Sequence, residues 1–101
     1  MNELISKVED WAIERNLHKA DSQGQFLKVS EEVGEVAAAL ARNDKLALMD
    51  GIGDVAVTLI ILGLQNGVTL EECLSHAYDE IKNRQGKMIN GVFVKESDLI
   101  E

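Results

Sequence analysis

The sequence predicts an all-α protein, a four-helix bundle-like domain with a short irregular or hairpin C-terminal tail. Three observations carry that expectation. Proline is absent and aromatic residues make up only 4% of the chain, while Ala, Leu, Val, Glu and Lys recur, a bias towards helix and away from sandwiches or barrels. Apolar residues return every three to four positions along most of the chain. At 101 residues there is room for one small domain, and no repeat, linker or low-complexity tract divides residues 1–101.

The first helix is expected from about Asn2 to Asn16, with Leu4, Ile5, Val8, Trp11, Ala12 and Ile13 on one face. Leu17 to Ser22 then connects to a second helix that starts near Asp21 or Ser22, either of which can cap it, and runs to about Arg42. Phe26, Val29, Val33, Val36 and Leu40 are its expected apolar stripe. Asn43-Asp44 interrupts the pattern before a third helix from about Lys45 to Gln65, stopped by Asn66-Gly67. Thr69 followed by Glu72 is a capping-box pattern, so a fourth helix should run from about Leu70 to Arg84, with Gly86 ending it. Gly91-Val92-Phe93-Val94 is expected to form a hairpin arm or to pack on the bundle.

Composition narrows the function classes. Ten Lys+Arg against eighteen Asp+Glu give a formal charge of -8, which repels a nucleic-acid polymer unless cations intervene. The apolar run from Val55 to Leu64 falls short of the roughly 20 residues that span a bilayer, so no membrane partner is expected. One cysteine, Cys73, excludes an internal disulfide, and Met1-Asn2-Glu3-Leu4 lacks the features of a secretory signal; a cytoplasmic location is the expectation.

The sharpest feature is Glu31-Glu32-Val33-Gly34-Glu35 on the second helix together with Asp50 and Asp54 on the third. At about 100° per residue the three glutamates share one arc of their helix, where like charges repel and a bound cation would reverse the cost. The third helix is apolar almost all round, so it should be buried, and Asp54 with it. A buried Asp54 needs a cation, a basic partner or a raised pKa. Carboxylates without clustered Cys or His suit Mg²⁺, with Mn²⁺ as the alternative, and not zinc; His18 and His76 stand apart in sequence. Three other helices from so short a chain can hardly surround the third, which implies a homodimer or homotetramer.

Lys28-x-x-Glu31-Glu32-x-x-Glu35, then Gly53-Asp54-Val55 and an apolar helix, resemble the two metal motifs of the MazG-like family of all-α nucleoside triphosphate pyrophosphohydrolases, in particular its short single-domain members. Lys82 to Lys87, followed by Asn90 to Lys95, is similar to their tail. The resemblance implies a Mg²⁺-dependent enzyme that splits a nucleoside or deoxynucleoside triphosphate into monophosphate and pyrophosphate. Glu32, Glu35 and Asp54 are then metal ligands. The family usually places a glutamate where this chain has Gly51, and Asp50 beside it is the candidate substitute.

Such chemistry needs charge neutralisation and an oriented water, for which Glu31 or Asp50 is the candidate catalytic group. Lys82, Asn83, Arg84 and Lys87 are candidates for holding the triphosphate, with Lys95 beyond them, and Lys28 either assists or pairs with the acids. Trp11 and Phe26 are candidates for stacking on a base, and Cys73 reads as a packing residue. The alternative function is a non-catalytic helical oligomer that binds a nucleotide or a partner protein on the same scaffold.

Overall fold

The computed structural model describes residues 2–99, and its element order is α1 (Asn2–Glu14), a 3-10 turn (Leu17–Lys19), α2 (Ser22–Ala41), α3 (Lys45–Gln65), α4 (Leu70–Ile81), strands β1 (Gly86–Ile89) and β2 (Val92–Lys95), and a second 3-10 turn (Glu96–Leu99). The all-α expectation holds: the only described sheet is one two-stranded hairpin. The described residues pack as two compact units, divided between Glu71 and Glu72.

In the first unit the helix boundaries follow from local chemistry. Asp21 caps α2 by accepting a hydrogen bond from the Gly24 amide, and Asp44 caps α3 through the Ala47 amide, both at 3.0 Å. Asn43 turns the chain between them in the left-handed region, φ 53°. At the far end of α3, Gly67 has φ 76° and the Val68 amide donates back to the Gly63 carbonyl at 2.9 Å, closing the helix as Asn66-Gly67 led us to expect.

The helices of this unit run up, down and up, with α3 in the middle. Gln25 Nε2 donates to the Thr58 carbonyl at 3.0 Å, and Val36 lies against Gly51, so α2 and α3 are antiparallel. Gln65 Nε2 reaches the Leu17 carbonyl just past α1, at 2.9 Å, and Asn66 Nδ2 reaches Ser22 Oγ at 3.0 Å. The core is small: Ile5, Ala12, Val29, Ala39, Ile60 and Ile61 are its buried apolar residues. Each buried isoleucine contributes about 1.5–3 kcal/mol relative to exposure.

Two expectations need correction. The seam of α2 towards α3 is Gln25, Val29, Glu32, Val36 and Ala39, whereas Phe26, Val33 and Leu40 of the expected stripe are exposed, at 58, 51 and 60%. The reason is that the heptad-like spacing 25, 29, 32, 36, 39 selects the side facing α3, and two of its members are polar. Nor is α3 enclosed. It is covered by α1 and α2 on two sides, and Ile52, Asp54 and Leu59 face outwards. By length and composition the whole of α3 is also apolar enough to cross a membrane, because its only charges, Lys45, Asp50 and Asp54, sit in its first half.

The second unit holds most of α4 and the hairpin. Here α4 ends at Ile81, earlier than expected, and Gly86 opens β1 rather than ending a helix. Ile89 pairs with Val92 across Asn90-Gly91, whose φ values of 52° and 80° are those of a type I′ turn, the tight connection that suits the twist of two short strands.

Candidate active site

The carboxylates are placed by the α2–α3 seam. The antiparallel register sets Glu32 level with the turn around Gly53–Val55 and Glu35 level with the turn around Met49–Gly51. Glu32 lies in the seam itself and is half-buried; Glu31 and Glu35 fall on one flank of it, by rotations of roughly 60–100° from Glu32. Asp50 and Asp54 lie on the corresponding flank of α3. A twofold axis perpendicular to the plane of an antiparallel pair relates its two helices and keeps each face on its own side, so these flanks adjoin. Glu31, Glu35, Asp50 and Asp54 therefore share one face of the pair, and all four are exposed.

The exposure of Asp54 overturns the expectation that it is sequestered. The apolar periodicity of α3 was satisfied by two neighbours instead of four, and Asp54 falls at the boundary of the side covered by α2. Among the described residues no three acidic, His or Cys side chains converge as a ready-made metal cage. Gly51, at the position where the resemblance leads one to expect a glutamate, is buried: a Cβ there would stand 3.0 Å from Val36 Cγ2. A side chain at 51 must displace a valine that is stiff in a helix.

Lys28 Nζ stands 3.7 Å from Glu31 Oε1, so the pairing of Lys28 with the acids is the arrangement seen. This leaves Asp50 the less encumbered of the two candidate water-orienting groups. Trp11 is 44% exposed and carries the Arg15 guanidinium 4.5 Å from its ring centroid. Phe26, the other stacking candidate, lies on the flank of α2 opposite Glu35 and does not share the acidic face.

The basic candidates belong to the second unit. Lys82 Nζ is held by Asp79 Oδ1 at 3.2 Å, and Lys87 is exposed on β1 opposite Val94. Asn83 and Arg84 line a polar cleft of about 360 Å³ together with Glu80, Gln85, Lys95, Glu96 and Ser97. Gln85 and Ser97 were not singled out from the sequence; the hairpin brings the chain past Lys95 back to the end of α4, and the Asn-Gly turn was the only signal of it. His76 pairs with Glu80 at 3.3 Å, and Cys73 is a free, exposed thiol.

The acidic flanks of this antiparallel pair carry the two motifs that resemble those of the MazG-like all-α pyrophosphohydrolases. The profile of the family described as phosphoribosyl-ATP pyrophosphohydrolase matches residues 7–82. The chain belongs to this family, which lies within the MazG-like superfamily and whose reaction is hydrolysis of a phosphoanhydride bond. The matched span holds all the acidic candidates and stops before the hairpin. A protein of Haemophilus phage HP1 (strain HP1c1), described as an uncharacterized 18.2 kDa protein in the rep-hol intergenic region, is 39% identical over 69 residues. That alignment takes in 67% of this chain and 42% of the phage protein, so the chain spans about two fifths of the length of that curated relative. No solved structure matches.

Proposed function

We propose that this chain is a metal-dependent pyrophosphohydrolase that cleaves a nucleoside triphosphate, or a deoxynucleoside triphosphate, to the monophosphate and pyrophosphate. The observation that carries the reading is the shared face that bears Glu35 of α2 and Asp50 and Asp54 of α3, with Glu32 in the seam beside them. An all-oxygen, all-carboxylate donor set fits a hard cation, Mg²⁺ or Mn²⁺. None of the four takes part in an ion pair or side-chain hydrogen bond among the described residues, so all are available to it.

Glu32, Glu35 and Asp54 would hold the ion, with Asp50 on the Gly51 side as the fourth donor. Bound there, Mg²⁺ supplies charge neutralisation on the non-bridging phosphate oxygens. Asp50 accepts a hydrogen bond from the attacking water and takes its proton; Glu31, held by Lys28, is the second candidate for this role. Within the second unit, Arg84, Asn83, Lys82 and Lys87 carry donors of the kind that suits phosphate oxygens.

The exposed Phe26, Val33, Leu40, Ile52 and Leu59 suit a homodimer or homotetramer in which a second copy covers them, in a cytoplasmic setting. A second reading, a non-catalytic nucleotide-binding or partner-binding oligomer, draws on the buried, ligandless Gly51. The test is release of pyrophosphate by purified protein with Mg²⁺ or Mn²⁺. Substrates are the ribo- and deoxyribonucleoside triphosphates and phosphoribosyl-ATP, with Glu35→Gln and Asp54→Asn beside the native chain. Full activity in both variants overturns the site; nucleotide binding without turnover in the native chain selects the second reading.

A further inference from the structure

Beside the acidic face lies a groove that the chemistry above leaves unused. It has a volume of about 300 Å³, at the lower end of small-ligand sites, and is lined by Lys7, Val8, Trp11 and Val57. Both flanking elements place it near the carboxylates. On α3, Val57 is one turn beyond Asp54 and about 60° round the helix from it. On α1, which runs parallel to α3, Lys7 and Trp11 fall on the flank that adjoins Val57, and the common lining shows that the two flanks meet there.

Trp11 is also held in place. Arg15 Nη1 donates to the Trp11 carbonyl at 3.0 Å while its guanidinium stacks on the indole, which restrains a ring that also lines the groove. From these observations we infer that the Trp11 groove receives the base of the nucleotide whose phosphates are held at the acidic face. The inference rests on the pyrophosphohydrolase reading and adds to it the location and character of base recognition.

The lining also sets how bases are distinguished. Val8 and Val57 have no polar side-chain atoms, and Lys7 offers a donor that suits a phosphate or carbonyl oxygen. Nothing among these residues pairs with the complementary donors and acceptors of a base edge, so recognition is by stacking, which every base supports. The consequence is tolerance: adenine, guanine, cytosine and uracil nucleotides should be taken with similar efficiency, within roughly tenfold.

Trp11 is the only tryptophan, so its fluorescence reports on the groove directly. In the native protein with Mg²⁺, non-hydrolysable analogues of ATP and UTP should both quench the emission, and inorganic triphosphate should not. In the native enzyme, Trp11→Ala should raise KM roughly tenfold for all four ribonucleotides, the size of one lost stack, with kcat within twofold, and Trp11→Phe should recover most of the loss. No quenching, equal quenching by triphosphate, or a KM change confined to one base overturns the inference. Should Glu35→Gln retain full rate, the pyrophosphohydrolase site is refuted separately, and the comparison of ATP with triphosphate still decides whether a base enters the groove.

Discussion

The two broad faces of the α2–α3 pair are built from the same two helices and have opposite chemistry. One carries Glu31, Glu35, Asp50 and Asp54; the other carries Phe26, Val33, Leu40, Ile52 and Leu59, all exposed in the single chain. Exposed carboxylates cost little in water, whereas a row of exposed large apolar side chains forgoes burial at about 25 cal/mol per Å². The comparison separates two demands on one sequence. The acidic face is well solvated as it stands, while the apolar face would gain by being covered.

The largest expected effect is on the acidic face. Asp54→Asn and Glu35→Gln should each lower kcat by roughly 10²–10³, as when one preorganised electrostatic group is removed, with little change in melting temperature because both side chains are exposed. Steady-state assays beside thermal melts separate the two quantities, and a large loss of stability would mean that these acids are structural.

On the apolar face, Val33→Glu combined with Leu59→Glu should shift an assembled species to a monomer, read by light scattering after gel filtration. An unchanged mass would show that this face is not what the copies share. A smaller effect is expected at the seam between the faces. Gly51→Glu should lower stability by about 1–3 kcal/mol through crowding against Val36, and Val36→Ala in the same chain should recover part of it, seen in denaturant midpoints. Smallest of all, Lys28→Ala should change stability by less than about 0.5 kcal/mol, since both partners of the Lys28–Glu31 pair are more than 60% exposed.

Much of the fold was legible because the punctuation is local. Asp21, Asp44 and Asn66-Gly67 specify the ends of α2 and α3 by hydrogen bonds and backbone angles that need no distant partner. The acidic candidates were legible for the same reason, since helical periodicity alone gathers Glu31, Glu32 and Glu35. What periodicity does not encode is which neighbour a stripe faces. Phe26, Val33 and Leu40 form a better apolar stripe than the true seam with its Gln25 and Glu32, yet the seam is what packs on α3. Asp54 was misjudged likewise, because a helix apolar on every side fits burial by four neighbours as well as burial by two and an open face.

Gly51 has a further consequence for the acidic face. With no side chain at that position, Val36 packs closely on α3, and a Cβ there would require Val36 to give by a few tenths of an ångström. The packing of α2 on α3 close to Glu35, Asp50 and Asp54 thus depends on a position that bears no functional group. Evolution or design could widen the gap one methylene at a time by lengthening the spacer at residue 51, leaving every carboxylate untouched.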